Sequence, residues 1–169
     1  MIEHFRMFAA YNIWANRRVY GAAAALDDRA YRQEAGAFFG SLHRTLNHLL
    51  VADRVWMRRF TGSGPQPQAL DEILHEDFAG LEAARDAEDA RIRDWIDGLA
   101  AEALDAPFTY SPISSPAIIT QRLGAALSHM FNHQTHHRGQ CHAILTGIGG
   151  PSLVLDLVYF LRAEGAEFA

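Results

Sequence analysis

Between Ser41 and Phe60, the residues Leu42, Leu46, Leu49, Asp53, Trp56 and Phe60 recur at alternating steps of four and three. That spacing keeps one face of an α-helix turned toward partner helices, whereas a β-strand alternates every second residue and cannot gather these side chains on one side. The segment therefore predicts one helix of a bundle, ended by the cluster Gly62, Ser63, Gly64, Pro65 and Pro67. One member of the seam is a carboxylate, Asp53, which is costly in an apolar interface unless a cation or a strong donor meets it.

The same period recurs elsewhere. From Ile2 to Leu26, Phe5, Phe8, Tyr11, Trp14 or Ala15 and Arg18 or Val19 fall at steps of three and four. From Leu70 to about Leu99 a third helix is expected, opening with Asp71 and Glu72 near its positive end. Its apolar members, Ile73, Phe78, Leu81, Ile92, Trp95, Ile96 and Leu99, are diluted by Ala, Glu, Asp and Arg, so it reads as long and mostly solvated. Between Pro107 and Pro116 three prolines forbid a regular helix, and Phe108-Thr109-Tyr110 can form at most a short strand in a crossover. A fourth helix is expected from between Ser115 and Thr120 to Leu145, stopped by Gly147, Gly149, Gly150 and Pro151, and a short last one from Ser152 to about Ala163. No strand run is long enough to build a sheet and no linker divides the chain. The expectation is an all-α bundle of four principal helices plus a short C-terminal helix, one domain over residues 1–169.

Composition narrows the function classes. A chain of 169 residues that is 49% hydrophobic and 21% charged can bury a core without staples, and its single cysteine, Cys141, excludes an intrachain disulfide. A cytoplasmic location is the expectation. The first helix carries Glu3, Arg6, Asn12 and Arg17 where a signal peptide would be uninterruptedly apolar, and no run approaches the roughly 18 apolar residues of a membrane span. The net charge of −5 and the absence of a basic block argue against nucleic acid as a partner.

Five of the nine histidines fall within the fourteen residues from His129 to His142. At about 100° per residue, His133 and His137 lie about 40° apart, and their midpoint falls near the centre of the face marked by Leu123, Ala126, Met130 and Ile144. Both are expected to point inward. His129 and His136 lie about 60° and 80° from that midpoint, and His142 lies roughly opposite it, in water. Buried neutral imidazoles must satisfy both ring nitrogens, so the spacing leaves two readings open: core histidines bonded to amides and hydroxyls, or a pair of metal ligands.

A metal needs a further ligand, and His48 lies beside the line through Thr45, Ala52 and Val55 on the second helix. His43, five residues earlier and about 140° round, is not expected to face the core together with it. His4 and His75 sit near helix ends and read as surface residues. Three imidazoles from two helices leave coordination positions open, which is the catalytic rather than the structural pattern for zinc, and imidazole also suits nickel and iron. Glu72-Ile73-Leu74-His75 fits the Glu-x-x-His motif of di-iron bundles but stands alone where two are needed. Cys141, one turn beyond His137, reads as a packed core cysteine, and Asp53 is expected to pair with Arg138 or Arg162 or to bond a ligand histidine.

The segments Tyr11 to Asn16 (YNIWAN), Asn47 to Trp56 (NHLLVADRVW), His129 to Gln140 (HMFNHQTHHRGQ) and Asp156 to Phe160 (DLVYF) together resemble the DinB/YfiT-like family of metal-dependent enzymes across nearly the whole chain. The resemblance implies an up-down-down-up four-helix bundle, often a homodimer, with a divalent metal held near one end by three histidines. By position these are His48, His133 and His137. It further implies zinc or nickel, with manganese or iron as other candidates, and a small-molecule substrate with a low-molecular-weight thiol as cosubstrate, activated by the metal as Lewis acid. Hydrolysis of a small molecule on the same ligands is the alternative reaction. The contrasting class is a non-enzymatic, stress-responsive metal-binding bundle, favoured by the lack of an obvious general base on the histidine faces.

Overall fold

The computed structural model describes residues 1–113 and 115–169; Ser114, inside the expected crossover, lies outside the described residues. Four long helices make the bundle: α1 (Ile2–Ala24), α3 (Leu42–Thr61), α4 (Phe78–Asp97) and α5 (Leu123–Gly147). Shorter pieces are α2 (Asp28–Arg32), β1 (Pro107–Tyr110), β2 (Ile119–Arg122) and α6 (Leu157–Leu161). Local chemistry sets the helix limits. The Ser41 hydroxyl caps α3 by accepting from the Arg44 amide at 3.3 Å, and α3 stops at Gly62, whose φ of 70° suits a residue without Cβ.

Two apolar clusters fix the helix directions. One gathers Val19 and Ala23 of α1, Leu42 and Leu46 of α3, Leu81 of α4 and Ile144 and Leu145 of α5. The other gathers Phe5 and Ala9 of α1, Met57 of α3, Ile92 and Ile96 of α4 and Ala126 and Leu127 of α5. Helices α1 and α5 thus run one way and α3 and α4 the other, the up-down-down-up order. The expected seam of α3 is real: Leu42, Leu46, Leu49, Asp53 and Trp56 are all buried. No helix is long and apolar enough to cross a membrane among the described residues.

Because α3 and α4 run in the same direction, the chain between them must travel back along the bundle. Here the third expected helix fails: residues 65–77 form an irregular strap, and α4 begins only at Phe78 behind the Asp77 cap. In a helix starting at Leu70, the Leu74 amide would donate to the Leu70 carbonyl. Instead the Leu74 amide donates to Asn47 Oδ1 at 2.9 Å, and the Leu70 carbonyl accepts from His48 Nδ1 at 2.7 Å. The side chains of α3 take the bonds that a first turn would have used.

The fourth helix also starts late. Ile119 to Arg122, with two β-branched residues at its start, pairs antiparallel with β1 in the register Tyr110↔Ile119 and Pro107↔Arg122. Thr109 and Thr120 share a hydroxyl hydrogen bond at 2.8 Å across the hairpin. The last helix is shorter than expected, because Tyr11 Oη donates to the Leu155 carbonyl at 2.6 Å and holds the preceding segment extended.

Most of α4 is half-buried or exposed, as expected, but one face of it is buried and carries charge that the expectation did not include. Leu81, Arg85, Glu88, Asp89, Ile92 and Ile96 are buried, a seam in which charged residues occupy the central positions. Asp53 pairs there with Arg85 at 2.8 Å, not with Arg138 or Arg162, and Arg85 reaches Asp89 at 2.9 Å. Arg162 is exposed. Arg138 joins the far end of the same network: it donates to the Asn12 and Asn16 side chains, whose amide groups donate to Asp89. Two carboxylates and two guanidinium groups balance one another out of water. Burial nevertheless pushes the Asp53 carboxyl up to about 6, against the pull of Arg85.

Candidate metal centre

The site lies where α3 and α5 face each other beneath the strap. His48, His133 and His137 each direct one ring nitrogen to a common point, the three ligand atoms lying within 4.8 Å of one another. Among the described residues this is the only cluster of His, Cys, Asp or Glu side chains with that convergence. Ring centroids are 5.1 Å apart for His48 and His133, 4.5 Å for His48 and His137, and 4.4 Å for His133 and His137. The i,i+4 pair comes from one face of α5, and the third histidine sits about two turns into α3, inside the bundle's length and not at its tip.

Fixed hydrogen bonds decide which nitrogen two of the three rings present. His48 Nδ1–H donates to the Leu70 carbonyl of the strap, which leaves Nε2 with its lone pair. His137 Nδ1–H donates to Gln140 Oε1 at 2.7 Å with the same result, and the Gln140 amide is itself oriented by donating to His136 Nε2 at 3.2 Å. His48 Nε2 and His133 Nε2 are 3.3 Å apart. Two nitrogens bound to one zinc-sized ion at about 2.0–2.1 Å in tetrahedral array would sit about 3.4 Å apart, so the His48–His133 pair has the spacing of such an ion and the three imidazoles fit it in number and type.

The electrostatics agree. Burial pulls His48 down to about 4 and His133 down to about 3, with neighbouring imidazoles adding to the effect on His133, and burial lowers His137 as well. All three rings are therefore neutral at pH 7, the form in which an imidazole can bind a metal ion. Asp71 of the strap is the carboxylate whose field reaches His48. It comes to the histidine face because the strap replaces the expected start of the third helix.

Several sequence expectations need correction here. His43 and His48 are both buried although they lie far apart around α3. The α2 region and the strap cover the second face: His43 packs edge-on against Tyr31 and its Nε2 meets the His75 carbonyl at 3.1 Å. His137 is buried as expected but His133 is only half-buried, and the deepest residues of α5 around them are Gln134, Arg138 and Cys141. His142 is half-buried too, its Nε2 accepting from the Leu153 amide at 3.0 Å. His129 and His136 flank the triad on the exposed side, and His4 is exposed as expected. Cys141 is fully buried with its thiol pushed up to about 12, a packed core residue and not a thiolate ligand. Asp53 touches the histidine helix directly at Gln134, which donates to it at 2.6 Å, and bonds none of the three histidines.

Phe39, Leu70, Gln140 and Asn47 shape the site without having been singled out. Gln140 had a signal, its i+3 spacing from His137. Phe39 and Leu70 lie in irregular segments, where periodicity carries no information.

The family model described as DinB family matches residues 1–167. The chain belongs to the DinB family. "Protein DinB" of Bacillus subtilis (strain 168) is similar to it, 31% identical over 164 residues that cover 94% of each chain. Membership and the three-histidine cluster together fit a metal-binding DinB-like protein, and the expected bundle is the fold observed.

Proposed function

We propose that His48, His133 and His137 hold one divalent metal ion and that the protein is an enzyme joining a low-molecular-weight thiol to a small electrophile. The observation that carries this reading is the convergence of three neutral imidazoles, two of them locked by carbonyl oxygens with the metal-facing nitrogen bare. When bound, the ion, zinc or nickel ahead of manganese or iron, supplies the Lewis acidity that makes a thiol ionise near neutral pH. Three protein ligands leave room for a substrate, the pattern of catalytic sites.

The chain's own residues do the rest. Burial keeps the imidazoles unprotonated, the Leu70 carbonyl and Gln140 hold two rings in one orientation, and Phe39 stacks on His48 at 3.9 Å and keeps water from that face. With the thiol acidified in that way its proton can pass to solvent water, and neither the ring set nor Asp71 needs to act as a strong base. The same reading makes the protein a cytoplasmic homodimer of single-domain chains that acts on a small molecule.

Turnover of chlorodinitrobenzene by metal-loaded protein, with and without a panel of thiols, tests the reaction. Conjugation that needs both metal and thiol, and that disappears in His133→Ala, is the expected result. Product formed equally well without thiol would replace transfer by hydrolysis, and metal uptake with no turnover of any electrophile would favour a non-enzymatic role.

A further inference from the structure

The face of α3 that carries His48 ends at an arginine. Arg59 lies eleven residues further on, about 20° round the helix from His48 and about 16 Å along it, with Ala52 and Val55 near the same line between them. Helical side chains lean toward the N-terminus, so Arg59 leans back toward His48 and leaves a gap of about 10 Å. On α5 the imidazoles continue past the cluster in the same direction: the His129 ring centroid is 5.9 Å from that of His133 and 5.1 Å from that of Trp56. The Arg59 guanidinium lies 4.7 Å from the Trp56 centroid and 4.8 Å from that of Tyr110, and its field reaches His129. Imidazoles thus stand at one end of the α3–α5 line and a guanidinium clamped on two rings at the other.

A cavity of about 180 Å³ opens at that second end, between the last turns of α3, the start of the strap and the residues after β1. Arg58 and Arg59 line it, and no Asp or Glu does. Its wall Pro67 is three residues before Leu70, whose carbonyl holds His48, so the strap borders both the cavity and the histidine cluster. The chain carries a net charge of −5, yet neither arginine has an ion-pair partner among the described residues. Arg58 donates to the Gly64 carbonyl at 3.4 Å and Arg59 to the Ser111 carbonyl at 3.0 Å. A guanidinium has five N–H donors, so most of both sets is left for another acceptor. Burial lowers the Arg59 pKa, and no carboxylate offsets it.

We propose that this cavity binds an anionic oxygen group, a carboxylate or a phosphate, at the far end of the molecule whose donor atom reaches the metal. This rests on the metal reading above. Planar guanidinium groups with free N–H edges meet oxygen anions through paired, charge-assisted hydrogen bonds. Arg59 is already held against its two rings, so little further order is lost when the anion arrives. Val55, Pro67 and Ile113 line the same cavity and suit the aliphatic stretch next to such a group.

The test uses the full chain loaded with cobalt(II), whose thiolate-to-metal absorption reports a bound thiol. 6-Mercaptohexanoate, 6-mercaptohexyl phosphate and 6-mercaptohexanol have similar reach and differ in the end group. Wild type is expected to bind one or both anionic thiols about tenfold more tightly than the alcohol, and the tighter of the two identifies the group. In Arg59→Gln that preference should fall to about twofold or less while the alcohol binds as before, and Arg59→Lys, which keeps the charge, should hold part of it. Arg58→Gln, away from the two rings, should lower the preference as well, and it carries the test if Arg59→Gln loses the ligand-free cobalt spectrum. Equal affinities in wild type, an undiminished preference in the Gln variants, or no thiolate absorption with any of the three compounds would overturn the proposal while leaving the metal reading intact. Protein that gives no cobalt spectrum at all would remove the metal reading, and this proposal with it.

Discussion

Asn47→Ala should loosen the strap and weaken the metal site together. Asn47 is fully buried, and its Oδ1 accepts from the Leu74 amide at 2.9 Å and the His75 amide at 3.0 Å. Its Nδ2 donates to the His75 carbonyl at 3.2 Å and to the His43 carbonyl at 3.1 Å within α3. Three of these four bonds tie the strap to α3, and the half-buried amides they serve cannot all find water. At about 0.5–1.5 kcal/mol net for each bond, the loss should total about 2–3 kcal/mol. With an m-value of about 2 kcal/mol/M, the urea midpoint of the metal-free variant should fall by about 1–1.5 M at unchanged slope. The strap also supplies the Leu70 carbonyl that fixes the His48 tautomer, so metal affinity should drop about tenfold, the low end for loss of an outer-shell support. Urea unfolding, hydrogen exchange at the Leu74 and His75 amides and a zinc titration measure the three effects. An unchanged midpoint with those amides still protected would refute the role given to Asn47, and an unchanged affinity would refute the link from strap to metal.

The remaining expectations concern the buried charges and the thiol. Arg85→Met strands the Asp53 and Asp89 carboxylates and should cost about 3–5 kcal/mol in urea unfolding at pH 7. Adding Asp53→Asn should return part of that loss with a coupling of about 1–3 kcal/mol, and strictly additive effects would contradict the network. In metal-free protein the imidazole resonances of His48 and His133 should stay in their neutral positions down to about pH 5, whereas an unperturbed histidine titrates near about 6.5. Because the unfolded chain then binds more protons, these two residues withdraw stability as pH falls from about 6.5 toward about 4 for His48 and about 3 for His133, and have no effect above that window; resonances moving near pH 6.5 would contradict it. Cys141, buried with a raised pKa, should not react with a thiol-specific disulfide reagent in folded protein at pH 8, and rapid labelling would count against its core assignment.

What was legible in the sequence was whatever obeys helical periodicity. The seam from Leu42 to Phe60, the i,i+4 pair His133 and His137, and the choice of His48 follow from spacing on α3 and α5, and the family motifs named the same three residues. The strap was not legible, because Asp71 and Glu72 imitate a helix start while the decisive bonds come from Asn47 and His48, more than twenty residues earlier. The charged seam of α4 was visible in the steps from Leu81 to Arg85, Asp89, Ile92 and Ile96, yet composition suggested a solvated helix. Arg85 could be recognised as the partner of Asp53 only after the chain's return along the bundle had set α4 beside α3 in the same direction. His43 shows the converse: the periodicity of α3 was right, and the cover over its second face came from elsewhere.

Anomalous diffraction at the metal's absorption edge, on crystals of metal-loaded protein, decides whether a single metal ion lies between α3 and α5. One anomalous peak is expected at about 2.0–2.2 Å from one nitrogen each of His48, His133 and His137, absent from crystals of His133→Ala. A peak elsewhere, or none between these three rings in crystals whose fluorescence proves the metal is present, would contradict it.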